Sequence, residues 1–228
     1  ASHNPADENG IKIFLPVAAM KPLPTEDGLI SEAALETDYR SLACMETKGA
    51  AKDVSDGAAA LFKDFCCRGR NSWIERPDAL RDLTVIVDPA NGAYTGLAQE
   101  VFRRLGVGEV IEVNPSWEGP VNRGSGVTQL EGNRYIGSDL MGSGGRDFSA
   151  NAAVVALFEV GRRKSHEMLA GRALVCAAVF DADGDRFYRV DYDAAEDMAI
   201  VLTGDEVSYL QAEYLMERAS GVKEGGLF

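Results

Sequence analysis

The run Leu83–Asp88, LTVIVD, constrains this chain more than any other stretch. It is almost continuously apolar and β-branched, the pattern of a strand covered on both faces, as in parallel α/β sheets. PANGAYTG follows as a turn. Leu97, Val101 and Leu105 then recur at helical spacing, and Gly106 is placed to end a helix over 97–105. VIEVN (Val110–Asn114) reads as the next strand. A strand–helix–strand unit of this kind predicts an α/β fold, with mixed or parallel sheets sandwiched by helices.

The rest of the chain fits around that unit. Ile11–Phe14 reads as a short strand, and FLPVAAMKPLPTEDG as irregular on account of its prolines. A helical pattern starts at Ser31 and Glu32 with Leu35, Tyr39 and Leu42, and a second spans roughly 57–67 with Leu61, Phe62 and Phe65 on one side. RGRNSWIERPDALRD reads as a connection. Residues 115–147 are glycine-rich and weakly patterned, which marks a functional loop or a misassigned element. A helix over 149–163, strands over 173–180 and FYRVDY, and an amphipathic helix in GDEVSYLQAEYLMERAS complete the reading.

The most demanding local feature follows Phe180: Asp181-Ala182-Asp183-Gly184-Asp185-Arg186. Three carboxylates at alternate positions repel one another in the absence of a cation. After a buried strand they stand where α/β proteins place their sites. Oxygen-only ligands suit a hard ion, Mg²⁺ above all, with Ca²⁺ or Mn²⁺ as alternatives. Gly184 gives the backbone freedom to converge the side chains. A solvated acidic turn is the bland alternative. An EF-hand is excluded, because Arg186 and Tyr192 stand where that loop needs Gly and Glu. A haloacid-dehalogenase-type loop usually has Thr or Val where Asp185 sits.

At the other end, ASHNPADENGIKIF opens with a polar run and an Asn9-Gly10 turn signal. Ser2 and His3 are adjacent, so on an extended backbone they point apart and cannot form a serine–histidine pair. On spacing alone the run is a polar loop.

The two stretches acquire a joint meaning through a resemblance. ASHNPADENGIKIF resembles the phosphoserine loop of the α-D-phosphohexomutase family (phosphoglucomutase/phosphomannomutase type), and DADGDR resembles that family's Mg²⁺ loop. LTVIVDPANGAYTG looks like the opening of its second domain and GDEVSYLQAEYLM like the start of its third. The resemblance implies a phosphohexomutase-like fold in three portions: residues 1–80 a partial first domain with the phosphoserine loop, 81–203 a second α/β domain with the metal loop, and 204–228 the start of a third. Ser2 would carry the phosphoryl group, His3 and Asn4 would line the transfer site, and Lys12 would be a general acid/base candidate. Asp181, Asp183 and Asp185 would bind Mg²⁺ together with an oxygen of phospho-Ser2. Arg186 would pair with the phosphoryl group or the third aspartate. The implied reaction interconverts hexose 1-phosphate and hexose 6-phosphate through a sugar 1,6-bisphosphate, with a glucose 1,6-bisphosphate-type activator and a sugar phosphate substrate. The family's third-domain sugar-specificity loop and fourth-domain phosphate loop have no counterpart, so the expectation is an incomplete chain. An inactive relative that binds metal or sugar phosphate, and a phosphatase with Asp181 as nucleophile, are the other readings.

Composition narrows the partners. A formal net charge of −13 over 228 residues excludes the basic footprint of a nucleic-acid binder. No apolar stretch reaches transmembrane length, so no membrane partner is expected. Four cysteines, Cys44, Cys66, Cys67 and Cys176, show neither zinc spacing nor a disulfide framework, which fits a cytoplasmic location. His166 and the Arg162-Arg163-Lys164 cluster read as a solvated helix end. The sequence leaves the oligomeric state open.

Overall fold

The computed structural model describes residues 4, 7–8, 12–15, 20–40, 52–68, 78–116 and 118–220. Helices α1 (Pro24–Glu36) and α2 (Ser55–Cys67) precede a mixed six-stranded sheet. Its elements are β1 (Leu83–Asp88), α3 (Leu97–Arg104), β2 (Glu109–Glu112), α4 (Val127–Leu130), β3 (Tyr135–Ile136), α5 (Ala152–Leu169), β4 (Leu174–Phe180), β5 (Phe187–Asp193) and β6 (Met198–Leu202). Helix α6 (Gly204–Ser220) follows.

The strand order is β2-β1-β4-β5-β6-β3. Strand β1 runs parallel to β2 and β4, whereas β4–β5, β5–β6 and β6–β3 are antiparallel. The alternation of β1 divides the core into two layers. Ile86 faces α5, where Val154, Leu157 and Phe158 meet Val175, Val179, Val190 and Val201. Val85 and Val87 face the opposite layer with Ala98, Val107 and Ala178, and Phe102, Tyr94, Phe180 and Phe187 pack beside them. The central parallel pair is thus covered on both faces, as the LTVIVD run requires.

Several expectations are corrected. The first helix starts at Pro24, inside the stretch read as irregular, because proline is tolerated at the first helical position and Glu26 Oε2 accepts the Leu23 N–H at 2.8 Å. Leu35 and Tyr39 are exposed, and Leu42 lies outside the described residues. Residues 12–14 are not a strand; Leu15 makes only an isolated bridge with Met20. Helix α5 begins at Ala152, where Asn151 Oδ1 caps the Val154 N–H at 3.0 Å, and runs to Leu169. Arg162 and Lys164 are therefore mid-helix, paired with Asp197 and Glu109 rather than solvating a helix end. His166 is exposed. Segment 115–147 contributes α4 and β3, and β6 is an additional strand that the sequence reading did not contain. Burial pushes the Cys176 thiol up to about 12, so it stays protonated. No helix among the described residues is long and apolar enough to cross a membrane.

Candidate functional site

The acidic loop leaves the carboxyl end of β4, the centre of the sheet, beside the carboxyl end of β1. Asp181 is fully buried, Asp183 half-buried and Asp185 exposed. One carboxylate oxygen from each lies within 4.8 Å of the others. The loop closes on itself: the Gly184 N–H donates to the Asp181 carbonyl at 3.1 Å, and the Arg186 N–H donates to Asp181 Oδ1 at 3.1 Å.

Two glycines make this closure possible. Gly184 has φ +75°, and a Cβ there would stand 2.6 Å from the Tyr94 ring. A Cβ on Gly92 would stand 2.1 Å from the Ala182 carbonyl oxygen, and the neighbouring Ala93 N–H donates to that oxygen at 2.7 Å. The PANGAYTG turn after β1 is therefore the floor on which the acidic loop rests. Tyr94 itself packs between Phe62 of α2 and Phe180 of β4, at 5.4 and 5.2 Å between ring centroids. Burial raises its phenol pKa, and Cys66 and the loop aspartates add to the shift, so the ring is neutral.

Lys12 reaches the loop from the amino-terminal segment. Its Nζ donates to Asp183 Oδ2 and, at 2.7 Å, to Asp185 Oδ2. The hydrogen bonds to Asp183 and Asp185 raise its pKa, so the group is a firmly charged ammonium. Asn4 comes to the same end of the sheet: its backbone carbonyl accepts Asn122 Nδ2 at 3.0 Å, while its own Nδ2 donates to Glu8 Oε2 at 2.7 Å. Ser2 and His3 lie outside the described residues. Arg186 is exposed, makes no ion pair among the described residues, and does not pair with Asp185. It lines a cavity of about 490 Å³ with Asp185, Tyr188, Gly204, Asp205 and Ser208.

The donor set fits a hard divalent cation: oxygens only, three carboxylates convergent, and one of them wholly buried. Lys12 offsets part of the charge of this cluster, and a divalent cation would offset more.

Sequence reasoning missed the groups beneath the site. Asp88, at the end of β1, is fully buried, and its carboxylate accepts the N–H groups of Ala90 and Gly126, both at 2.9 Å, and Asn114 Nδ2 at 3.0 Å. Burial raises its pKa, and these three donors oppose the rise. A strand ending in Asp next to a second strand ending in an acidic loop was the available signal.

Among proteins of known function, the chain is 32% identical over 228 residues to phosphoglucosamine mutase of Pseudomonas aeruginosa (strain LESB58), covering all of this chain and 40% of that protein. Phosphoglucosamine mutases of Aeromonas hydrophila and Aeromonas salmonicida are 30% and 29% identical over 233 residues, again covering all of this chain and 40% of theirs. Over its whole length the chain is similar to members of the α-D-phosphohexomutase family. It spans about 40% of the length of these curated relatives. No protein-family model matches it. A solved phosphoglucomutase/phosphomannomutase family protein from Burkholderia thailandensis aligns with 96% of the chain and 37% of its own, at 23% identity and a TM-score of 0.48. Of the two stretches that carry the resemblance, the acidic loop is the one whose residues are all described.

Proposed function

We propose that this chain supplies the phosphoryl-transfer part of a phosphohexomutase that interconverts hexose 1-phosphate and hexose 6-phosphate. The observation that carries the reading is the convergence of Asp181, Asp183 and Asp185 with Lys12, which stands ten residues after Ser2. On this reading residues 1–80, 81–203 and 204–228 belong to three successive domains, with the site where the first two meet.

Asp181, Asp183 and Asp185 would hold Mg²⁺ together with an oxygen of phospho-Ser2. The ion would supply charge compensation for the transferring phosphoryl group. The chain's own residues do the positioning that phosphoryl transfer chiefly requires. In the first half-reaction the bond from phosphorus to Ser2 Oγ breaks and a bond to a sugar hydroxyl forms, giving the 1,6-bisphosphate. The sugar hydroxyl loses its proton and the departing Ser2 Oγ takes one up, so the transfer consumes no net proton. Lys12, held charged by two carboxylates, is ready to donate a proton, and could act as a base only after first giving up its own. His3 and Asn4 would flank Ser2. Arg186, with its guanidinium unengaged among the described residues, would meet a phosphate in the cavity it shares with the start of α6. The second half-reaction returns the other phosphate to Ser2, and a glucose 1,6-bisphosphate-type activator would restore phosphoserine if it were lost. The relatives' name makes glucosamine phosphate the first substrate to test.

Phosphopeptide mass spectrometry after incubation with glucose 1,6-bisphosphate and Mg²⁺ tests the reading. Phosphate is expected on Ser2 and absent from Ser2→Ala. Phosphate that persists in Ser2→Ala and vanishes in Asp181→Asn would point instead to Asp181 as nucleophile. No phosphate on either protein would make the chain a binding relative without transfer.

A further inference from the structure

Between the amino-terminal segment and the acidic loop lies a platform of asparagines that the proposed reaction leaves without a role. Asn122 is at its centre, 7% exposed, with φ +58°, a conformation that asparagine tolerates better than most residues. Its N–H donates to the Ala90 carbonyl at 3.2 Å, and its carbonyl accepts Gln129 Nε2 at 3.4 Å. The turn around it is tied down by other bonds as well, Asp88 to Gly126 N–H and Asn91 Oδ1 to Ser116 N–H. The Asn122 carboxamide also reaches outside its own loop. Its Nδ2 donates at 3.0 Å to the carbonyl of Asn4, 118 residues away and two residues after Ser2.

The Ala90–Ala93 turn that receives Asn122 also holds the acidic loop, through Ala93 N–H to the Ala182 carbonyl at 2.7 Å. One turn therefore touches both partners of the proposed transfer, the serine side by way of Asn122 and the aspartate side directly. We propose that Asn122 is a positioning residue that, through the Asn4 carbonyl, ties the segment following Ser2 to the turn that holds the acidic loop. The inference rests on Ser2 being the phosphoryl carrier. Its consequence is kinetic, since a misplacement of about 1 Å can cost about 100-fold in rate.

Two substitutions test it without forbidding the backbone conformation. Asn122→Gly keeps φ accessible and removes the carboxamide; Asn122→Asp keeps the shape and sets a carboxylate oxygen against the Asn4 carbonyl. Single-turnover labelling of Ser2 by glucose 1,6-bisphosphate is followed across bisphosphate concentrations, alongside Mg²⁺ titration calorimetry and far-UV circular dichroism. The expected result is a saturating rate lowered about tenfold or more in both variants. The half-saturating bisphosphate concentration, the Mg²⁺ dissociation constant and the spectrum should stay within about twofold of the parent, because the acidic loop keeps its own contacts. Parent-like labelling in either variant overturns the inference while leaving Ser2 as carrier. A loss of Mg²⁺ binding in step with labelling overturns it too, since Asn122 would then support the whole platform. An unlabelled parent refutes the carrier reading, and the inference with it.

Discussion

The two sides of the site are built in different ways. The acidic loop issues from β4, between β1 and β5, with Asp181 fully buried and its backbone latched to the turn after β1. The amino-terminal side comes in over an exposed stretch, Ile13 and Phe14 being 44% and 55% exposed. It meets the acidic loop through Lys12, and the neighbouring turn through the Asn4 carbonyl, which accepts Asn122 Nδ2. One side inherits its geometry from the core. The other takes its geometry from a few long-range hydrogen bonds. Damage to the first should therefore register as lost ligand binding and stability, and damage to the second as lost rate.

The largest expected effect breaks the first side at its centre. Asp181→Asn keeps an oxygen to accept the Arg186 N–H but removes the buried charge. Mg²⁺ affinity measured by calorimetry should fall about 100-fold or more, beyond what loss of a supporting group usually costs. The thermal midpoint in metal-free buffer should hold or rise, since one of three converging like charges is gone. Unchanged Mg²⁺ affinity would remove the acidic loop from the site altogether.

Next comes the latch. Gly184→Ala imposes a side chain at φ +75° and drives its Cβ into the Tyr94 ring. A loss of about 1–3 kcal/mol is expected from such strain, read by urea denaturation, together with weaker Mg²⁺ binding. If Mg²⁺ binding weakened while stability stayed constant, the loop would be independent of the core and the contrast between the two sides would fail.

The same contrast explains what the sequence disclosed. LTVIVD and the run into β4 were legible because burial on both faces leaves a continuous apolar signature, and DADGDR because repelling charges after such a strand need a cause. Asp88 and Asn122 were not, since a residue that works through bonds to distant backbone leaves no period in its neighbourhood. Strand β6 was missed because its pattern is short and follows an acidic turn, and only pairing with β5 and β3 makes it a strand. The start of α1 was missed by treating Pro24 as a breaker when it opens the helix. The Ser2–His3 stretch gained its meaning from the family resemblance, not from local spacing.

The smallest effect serves as the control that sharpens the comparison. At the end of the sheet away from the acidic loop, the β5–β6 turn is closed by Asp197, which accepts Arg162 Nε at 3.0 Å and the Tyr192 hydroxyl at 2.7 Å. The Arg162 hydrogen bond, helped by Tyr192, holds the Asp197 pKa below its ordinary 3.8. Being depressed, it contributes stability that is fully present above about pH 4 and is lost as pH falls through the lower folded value. The carboxylate is 42% exposed, so solvent screening confines the contribution to about 0.2–1 kcal/mol. Asp197→Asn should thus lower urea stability slightly at pH 7, with the gap to the parent closing below about pH 4. Ser2 labelling and Mg²⁺ affinity should not move, because neither side of the site touches this turn. A change in either would mean that the two ends of the sheet are coupled, and that core and site cannot be perturbed separately.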